Sequence, residues 1–288
     1  MPLLAIPGTF RILGASPDGD SIRFYPDDRA AFAKARLRVR TNASGGAQLR
    51  LDAIDALETH YTPRSAPAPW HQPVALGNGA AGALLDLLGF TDVQRDSRGT
   101  VVAAHPEQRP GYILTRSADK YGRAVSFAYA GPRDGGTDAP VFLDLPELRR
   151  SLNHRLLGAG WVYPTFYSKL YVDLRNDLAA TAVAARNAKA GVWADDTTLA
   201  GFTVASRQQL QGELVILPKL FRRLADYLTL DHPTSVDLGG LLAFLAARDD
   251  RLFTVPAGQA TSLDTLVHVA GQTVTLTIPP EQIVFLEA

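Results

Sequence analysis

Between Gln48 and Tyr61 the chain reads Q-L-R-L-D-A-I-D-A-L-E-T-H-Y, which sets Arg50, Asp55 and Glu58 within nine residues. A phosphodiester is an anion, so a nucleophile reaching its phosphorus must first be spared electrostatic repulsion. Positive charge near the non-bridging oxygens does this, and a carboxylate near the water activates or orients it. An arginine, a metal-ligating carboxylate and a second carboxylate supply those functions, the guanidinium by forked hydrogen bonds. The same residue types also build structural salt bridges, and the triplet alone leaves both readings open.

The element that must position them is a strand. Leu49, Leu51 and Ala53 alternate with Arg50 and Asp52, and Ile54 returns the chain to the core. That pattern predicts a half-buried strand that delivers Asp55 and Glu58 into the following loop. An arginine carried on such a strand is costly unless it meets an anion.

Other stretches carry weaker signals. Asp18-Gly19-Asp20 lies between the apolar runs Gly8–Leu13 and Ser21–Tyr25, a hairpin signature whose aspartates serve turn chemistry or offer hard oxygens to Ca²⁺ or Mg²⁺. Lys34, Arg36, Arg38 and Arg40 alternate with Ala35, Leu37 and Val39. As a strand this gives either a charge-protected edge or a stripe that tracks phosphates. Gly77-Asn78-Gly79-Ala80-Ala81-Gly82 matches G-x-G-x-x-G literally, but no βαβ unit surrounds it. Small residues permitting close helix packing are the better explanation. Asp119-Lys120-Tyr121-Gly122-Arg123 is a tight turn that presents an aromatic ring and an arginine. Gly160–Tyr167 is an aromatic loop that either joins the core or stacks a base.

The 288 residues have no cysteine, so disulfides and thiolate metal sites are excluded. The lack of a histidine cluster argues against zinc. Net charge is formally zero, but residues 201–288 carry six basic and nine acidic side chains, leaving the front part slightly basic. No signal peptide or transmembrane run is visible, which suggests a cytoplasmic protein without membrane contact and leaves secretion open.

Short strands return at close intervals, which favours a small barrel or sandwich in an α+β chain. Further strand candidates are Val101–Ala104, Gly111–Arg116 and Ala124–Tyr129, with a flexible insertion at Pro132–Pro140. Helices are expected over Pro73–Phe90, Leu145–Ala159 and Leu170–Lys189, the last closing on Gly191. Beyond Gly201 the character changes. Leu214–Leu217 reads as a strand, Pro218–Leu228 and Leu238–Ala247 as helices, Thr265–Val269 and Gln272–Thr277 as a hairpin, and Ile283–Leu286 as a last strand. No catalytic constellation is evident there, so the expected division is 1–203 as the main domain and 204–288 as a small α/β accessory domain of unknown function and unknown protein partner.

Four segments in order, D-G-D-S at Asp18–Ser21, L-R-L-x-x-I-D-x-x-E at Leu49–Glu58, D-K-Y-G-R at Asp119–Arg123 and G-V-W-A-D-D at Gly191–Asp196, resemble the staphylococcal nuclease (thermonuclease-like) family. The resemblance covers about residues 8–203. It implies an OB-fold five-stranded β-barrel with three helices and hydrolysis of DNA or RNA phosphodiesters with Ca²⁺, Mg²⁺ being the less favoured ion. Carried over, Asp20 and Asp55 hold the metal with side-chain oxygens and Ala56 with its carbonyl. Glu58 is the base or water-orienting group, and Arg50 and Arg123 stabilise the phosphate. Lys120 and Tyr121 lie beside the nucleotide, with Tyr163 or Tyr167 from the later loop.

The chain departs from the family pattern in a proline-rich loop at Thr62–Gln72 and an insertion at Asp92–Pro110. The rival reading is a barrel that binds nucleic acid or protein without cutting. Modules that have lost catalysis usually lack one of the arginine or carboxylate positions, and here Asp20, Arg50, Asp55, Glu58 and Arg123 are all present. A third reading, a phosphodiester outside nucleic acids, is separated only by substrate tests.

Overall fold

A computed structural model describes residues 2–133, 140–230 and 236–287. The chain divides into two compact units that alternate along the sequence. One comprises Met1–Asp52 with Ala80–Leu156, the other Ala53–Gly79 with Leu157–Ala288. The Pro132–Pro140 insertion lies largely outside the described residues.

The first unit holds a closed five-stranded mixed barrel beside helices, an α+β arrangement. Its strands are Leu3–Arg11, Ser21–Pro26, Ala47–Leu51, Gln108–Ala118 and Ala124–Ala130. Leu3–Arg11 pairs antiparallel with both Ser21–Pro26 and Gln108–Ala118, which closes the ring. Ala47–Leu51 runs antiparallel to Ser21–Pro26 and parallel to Ala124–Ala130. Phe10, Ile22, Phe24, Leu49, Leu51, Ile113 and Ala128 share one face, point inward and are buried, as the period-two alternation requires. Gly8 and Gly111 face each other across two strands. A Cβ on Gly111 would lie 2.4 Å from both the Tyr129 carbonyl oxygen and the Phe10 ring, so the barrel wall closes there only without a side chain.

The basic stretch departs from expectation. Ala31–Lys34 is a single helical turn, and Ala35–Arg40 is irregular, with Arg36 at φ +57°. Leu37 and Val39 are only half-buried, so no apolar face rewards strand pairing. Asp28 accepts from the Ala30 amide at 2.9 Å and from Lys34 Nζ at 2.7 Å, which favours a turn. The Asp92–Pro110 insertion contains a hairpin, Thr91–Arg95 with Val101–His105. The expected Leu145–Ala159 helix is two, Leu145–Arg150 and Leu152–Gly158, broken at Ser151 in extended conformation. The G-x-G-x-x-G run lies inside helix Val74–Leu88, where a Cβ on Gly77 would meet Thr59 at 2.8 Å and one on Gly79 would meet Trp161 at 2.5 Å. Those two glycines serve close packing.

The second unit is built on helices Val172–Asn187, Pro218–Leu228 and Leu241–Arg248 and three small sheets. Ile54–Asp55 pairs with Tyr163–Pro164. Phe166–Tyr167 runs parallel to Ile283–Phe285, which pairs with Arg251–Thr254. Phe202–Thr203 pairs with Thr273–Leu276. Leu214–Leu217 forms no strand; only Val215 makes an isolated bridge, to Asp196. Leu57, Trp70, Tyr163 and Trp193 share one apolar core with Leu217, Leu220, Phe221, Leu224, Leu241, Val274 and Ile283. Residues 204–288 fall in the same compact unit as Ala53–Gly79 and residues 157–203. They share strands and core with residues from 53–79 and 157–203. No helix among the described residues is long and apolar enough to cross a membrane.

Candidate functional site

The barrel register places three of the expected residues on or directly before three neighbouring strands of the first unit. Ser21 pairs with Arg50, and the Leu51 amide donates to the Asp20 carbonyl at 2.8 Å. Arg50 in turn pairs with Val125 and Leu49 with Ala124, which follows Arg123 directly. Asp20 thus precedes its strand beside Leu51, Arg50 lies between Ser21 and Val125, and Arg123 precedes its strand beside the Gln48 end of Ala47–Leu51. Asp20 is buried, its amide held by Asp18 Oδ1 at 3.2 Å, so Asp18 fulfils the turn role of the hairpin.

The Asp119–Arg123 turn is rigidly built. Asp119 Oδ1 accepts from the amides of Tyr121 and Arg123, each at 2.9 Å, and Oδ2 accepts from Arg123 Nε at 2.7 Å. Gly122 adopts φ +83°, a left-handed conformation that glycine reaches without strain. Tyr121 is 62% exposed, with Lys120 Nζ 5.3 Å and the Arg123 guanidinium carbon 5.7 Å from its ring centre. The Arg40 amide donates to the Gly122 carbonyl at 2.8 Å, which brings the end of the basic stretch beside this turn. The result is an exposed aromatic ring flanked by cations, a surface suited to a stacked base and its phosphate.

Asp55, Ala56 and Glu58 belong to the second unit, where the sequence reading did not anticipate their partner. Arg222, on helix Pro218–Leu228, donates from Nη2 to Asp55 Oδ2 at 2.7 Å and from Nη1 to Asp55 Oδ1 at 3.3 Å. Nη1 also donates to Glu58 Oε1. Asp55 is 1% exposed and the Arg222 and Glu58 side chains about a fifth exposed. Burial would lower the Arg222 pKa, but the charges of Asp55 and Glu58 more than reverse that and hold it well above its ordinary value.

The loop carrying Glu58 is bolted to the same helix region. Gln72, itself buried, accepts the Glu58 amide at 3.1 Å, donates its own amide to the Glu58 carbonyl at 2.7 Å, and reaches the Ile216 carbonyl at 2.8 Å. Tyr61 donates to Asp226 Oδ1 at 2.7 Å, one turn along from Arg222. Asp226 also holds Arg248, and Asp250 holds Arg223 and Lys219. The helix face that reads as merely polar in sequence is the hub of an ion-pair network.

This arrangement does not fit a calcium ion at Asp55. Calcium takes six to eight oxygen ligands, and here each Asp55 oxygen already accepts from Arg222. Among the described residues no three His, Asp or Glu side chains gather into a metal-holding group. Ala56 is buried.

The two tyrosines of the aromatic loop differ from the substrate-facing role the resemblance implies. Tyr163 is fully buried, donates to Asp196 Oδ1 at 2.8 Å and packs against Trp193 with ring centres 4.8 Å apart. Burial first, and the Asp196 charge second, raise its phenol well above the usual value. Tyr167 is half-buried, its ring centre 6.0 Å from that of Phe285. Both are explained by core packing, which was the other reading of the loop.

Arg222 is the partner of Asp55 and Glu58 that sequence reasoning missed. Two adjacent arginines and an aspartate on one face of an amphipathic helix were the available signal, and nothing local tells which carboxylates they meet. Compared with known proteins, the chain matches no family model and no curated sequence.

Proposed function

We propose that this chain hydrolyses phosphodiester bonds of DNA or RNA through a nuclease-like OB barrel. The observation that carries the reading is the barrel register, which sets Arg50 on the strand between those that Asp20 and Arg123 immediately precede, with an exposed Tyr121 in the Arg123 turn. The closed five-stranded order is compatible with the OB-like barrel that the four sequence segments imply. In this reading Arg50 and Arg123 bind the non-bridging oxygens and offset charge that grows as water attacks phosphorus. The part of orienting that water or taking its proton as the bond to the leaving sugar oxygen breaks comes to Glu58 from the sequence resemblance alone. Tyr121 and Lys120 position the neighbouring nucleotide.

Release of acid-soluble nucleotides from single-stranded DNA and from RNA tests it. The wild type cleaves at least one of them, and Arg50→Ala cleaves about 10²–10³-fold more slowly. Equal rates for Arg50→Ala and wild type would overturn the assignment. A second reading, a barrel that binds nucleic acid or protein without cutting, draws on the engagement of Asp55 and Glu58 by Arg222. It expects binding of labelled DNA without cleavage.

A further inference from the structure

The disagreement between the donor set and a calcium ion has a specific cause. The position between Asp55 and Glu58 is held by a guanidinium from the chain itself. We propose that Arg222 is the resident cation of this carboxylate pair and stands in for a divalent metal ion. This rests on the nuclease-like reading, and deepens it by assigning the charge that the family draws from calcium to a side chain.

Three observations carry the inference. The first is geometry: one guanidinium spans both oxygens of Asp55 and one of Glu58, a forked contact that a flexible surface pair does not make. The second is burial. Asp55 is 1% exposed, so its negative charge needs a compensating cation close by, and Arg222 provides one with directed hydrogen bonds. The third is construction. Gln72 joins the Glu58 loop to Ile216, two residues before the Arg222 helix begins, and Tyr61 ties the same loop to Asp226 on that helix. The carboxylates and the arginine are thus held in register by hydrogen bonds outside the Arg222–Asp55–Glu58 contact, from Gln72 and from Tyr61 to the Asp226 carboxylate.

Arg222 is a positioning residue in this account. It keeps Asp55 and Glu58 ionised and fixed, and acts through Glu58 rather than on the phosphate. A metal ion does more than neutralise, since it also lowers the pKa of bound water. The guanidinium cannot do that, so the expected enzyme is slower than a metal nuclease and indifferent to chelators.

The test is calcium binding, read by titration calorimetry and by the shift of thermal unfolding between Ca²⁺ and EGTA. The proteins are the full chain as wild type, Arg222→Gln, Asp55→Asn, and Arg222→Gln combined with Asp55→Asn. The expected result is no calcium response in the wild type and a clear one in Arg222→Gln that the added Asp55→Asn abolishes. If Arg222→Gln fails to fold in EGTA, refolding on adding Ca²⁺ gives the same answer. Arg222→Lys retains the charge without the fork, and is expected to stay unresponsive.

A wild type that gains stability from calcium in an Asp55-dependent way would overturn the proposal, because the metal would then bind despite Arg222. An Arg222→Gln variant that folds and ignores calcium would also overturn it, reducing the contact to an ordinary salt bridge. Neither readout needs catalysis, so a chain that cuts nothing leaves this test intact, and a calcium-dependent nuclease fails it while upholding the nuclease reading.

Discussion

Replacing Arg222 by glutamine removes a cation from two carboxylates, one of them 1% exposed. Breaking a buried ion pair from one side costs about 3–5 kcal/mol, whereas an exposed pair contributes roughly 0–1 kcal/mol. Arg222 and Glu58 retain about a fifth of their side-chain exposure, which places the expected loss near the lower end, about 3 kcal/mol. A double-mutant cycle with Asp55→Asn isolates the pair, and a coupling of about 1.5–2.5 kcal/mol is expected for groups sharing forked hydrogen bonds. The assay is urea unfolding followed by tryptophan fluorescence. Trp70, Trp161 and Trp193, the three tryptophans of the chain, all lie in the second compact unit, so the signal reports the unit that contains the contact. Trp70 and Trp193 are buried, so unfolding changes their environment. A coupling below about 0.5 kcal/mol would refute the reasoning, since that is the range of a solvated surface pair.

Other outcomes follow from neighbouring features. Burial would raise the Asp250 carboxyl, but Arg223 and Lys219 more than offset this and hold it at about 2 against an ordinary 3.8. Because its folded pKa is depressed, Asp250 contributes about 2 kcal/mol that is present above pH 4 and lost as pH falls from about 4 towards 2. An Asp250→Asn variant is expected to show a flatter acid limb in urea midpoint against pH, and an unchanged limb would contradict the assignment. Gly111→Ala is expected to destabilise by about 1–3 kcal/mol through its contact with backbone at Tyr129. Gly82→Ala, with nothing within 4 Å in helix Val74–Leu88, is expected to stabilise by about 0.5–1 kcal/mol, and both are read as shifts of the unfolding midpoint. Tyr163→Phe is expected to lose about 1–3 kcal/mol of stability, since Asp196 is left with one buried donor fewer, while cleavage kinetics stay unchanged. Tyr121→Ala is expected to do the reverse, raising KM several-fold at constant stability.

The barrel was legible where its strands alternate, as Ser21–Pro26 and Ala47–Leu51 do, and less so in Gln108–Ala118 and Ala124–Ala130, which bury consecutive residues on both faces. Leu49 and Leu51 point inward as the period-two pattern requires, with Arg50 between them. The same pattern failed at Lys34–Arg40, where alternation of cations with small apolar residues found no core to bury against. Asp20, Arg50 and Arg123 were readable as a set only through the resemblance carried by their three segments, since no pairing register is written in the sequence. Arg222 was not, because its partners lie 164 and 167 residues away along the chain and no local periodicity encodes such a contact. The change of composition near Gly201 is real, but it does not reveal that Ile283–Phe285 pairs with Phe166–Tyr167 or that Leu57 and Trp70 share the core of the Pro218–Leu228 helix.

The central claim is phosphodiester hydrolysis, and the most direct measurement is nucleotide release from single-stranded DNA and RNA with Ca²⁺, with Mg²⁺ and with EGTA. Wild type and Glu58→Ala are run side by side, with binding of labelled DNA measured in parallel. The account expects cleavage by the wild type that persists in EGTA and falls about 10²–10⁴-fold in Glu58→Ala. Measurable DNA binding with no cleavage by the wild type under any of the three conditions would contradict it, and would leave a barrel whose arginines grip a ligand it does not cut.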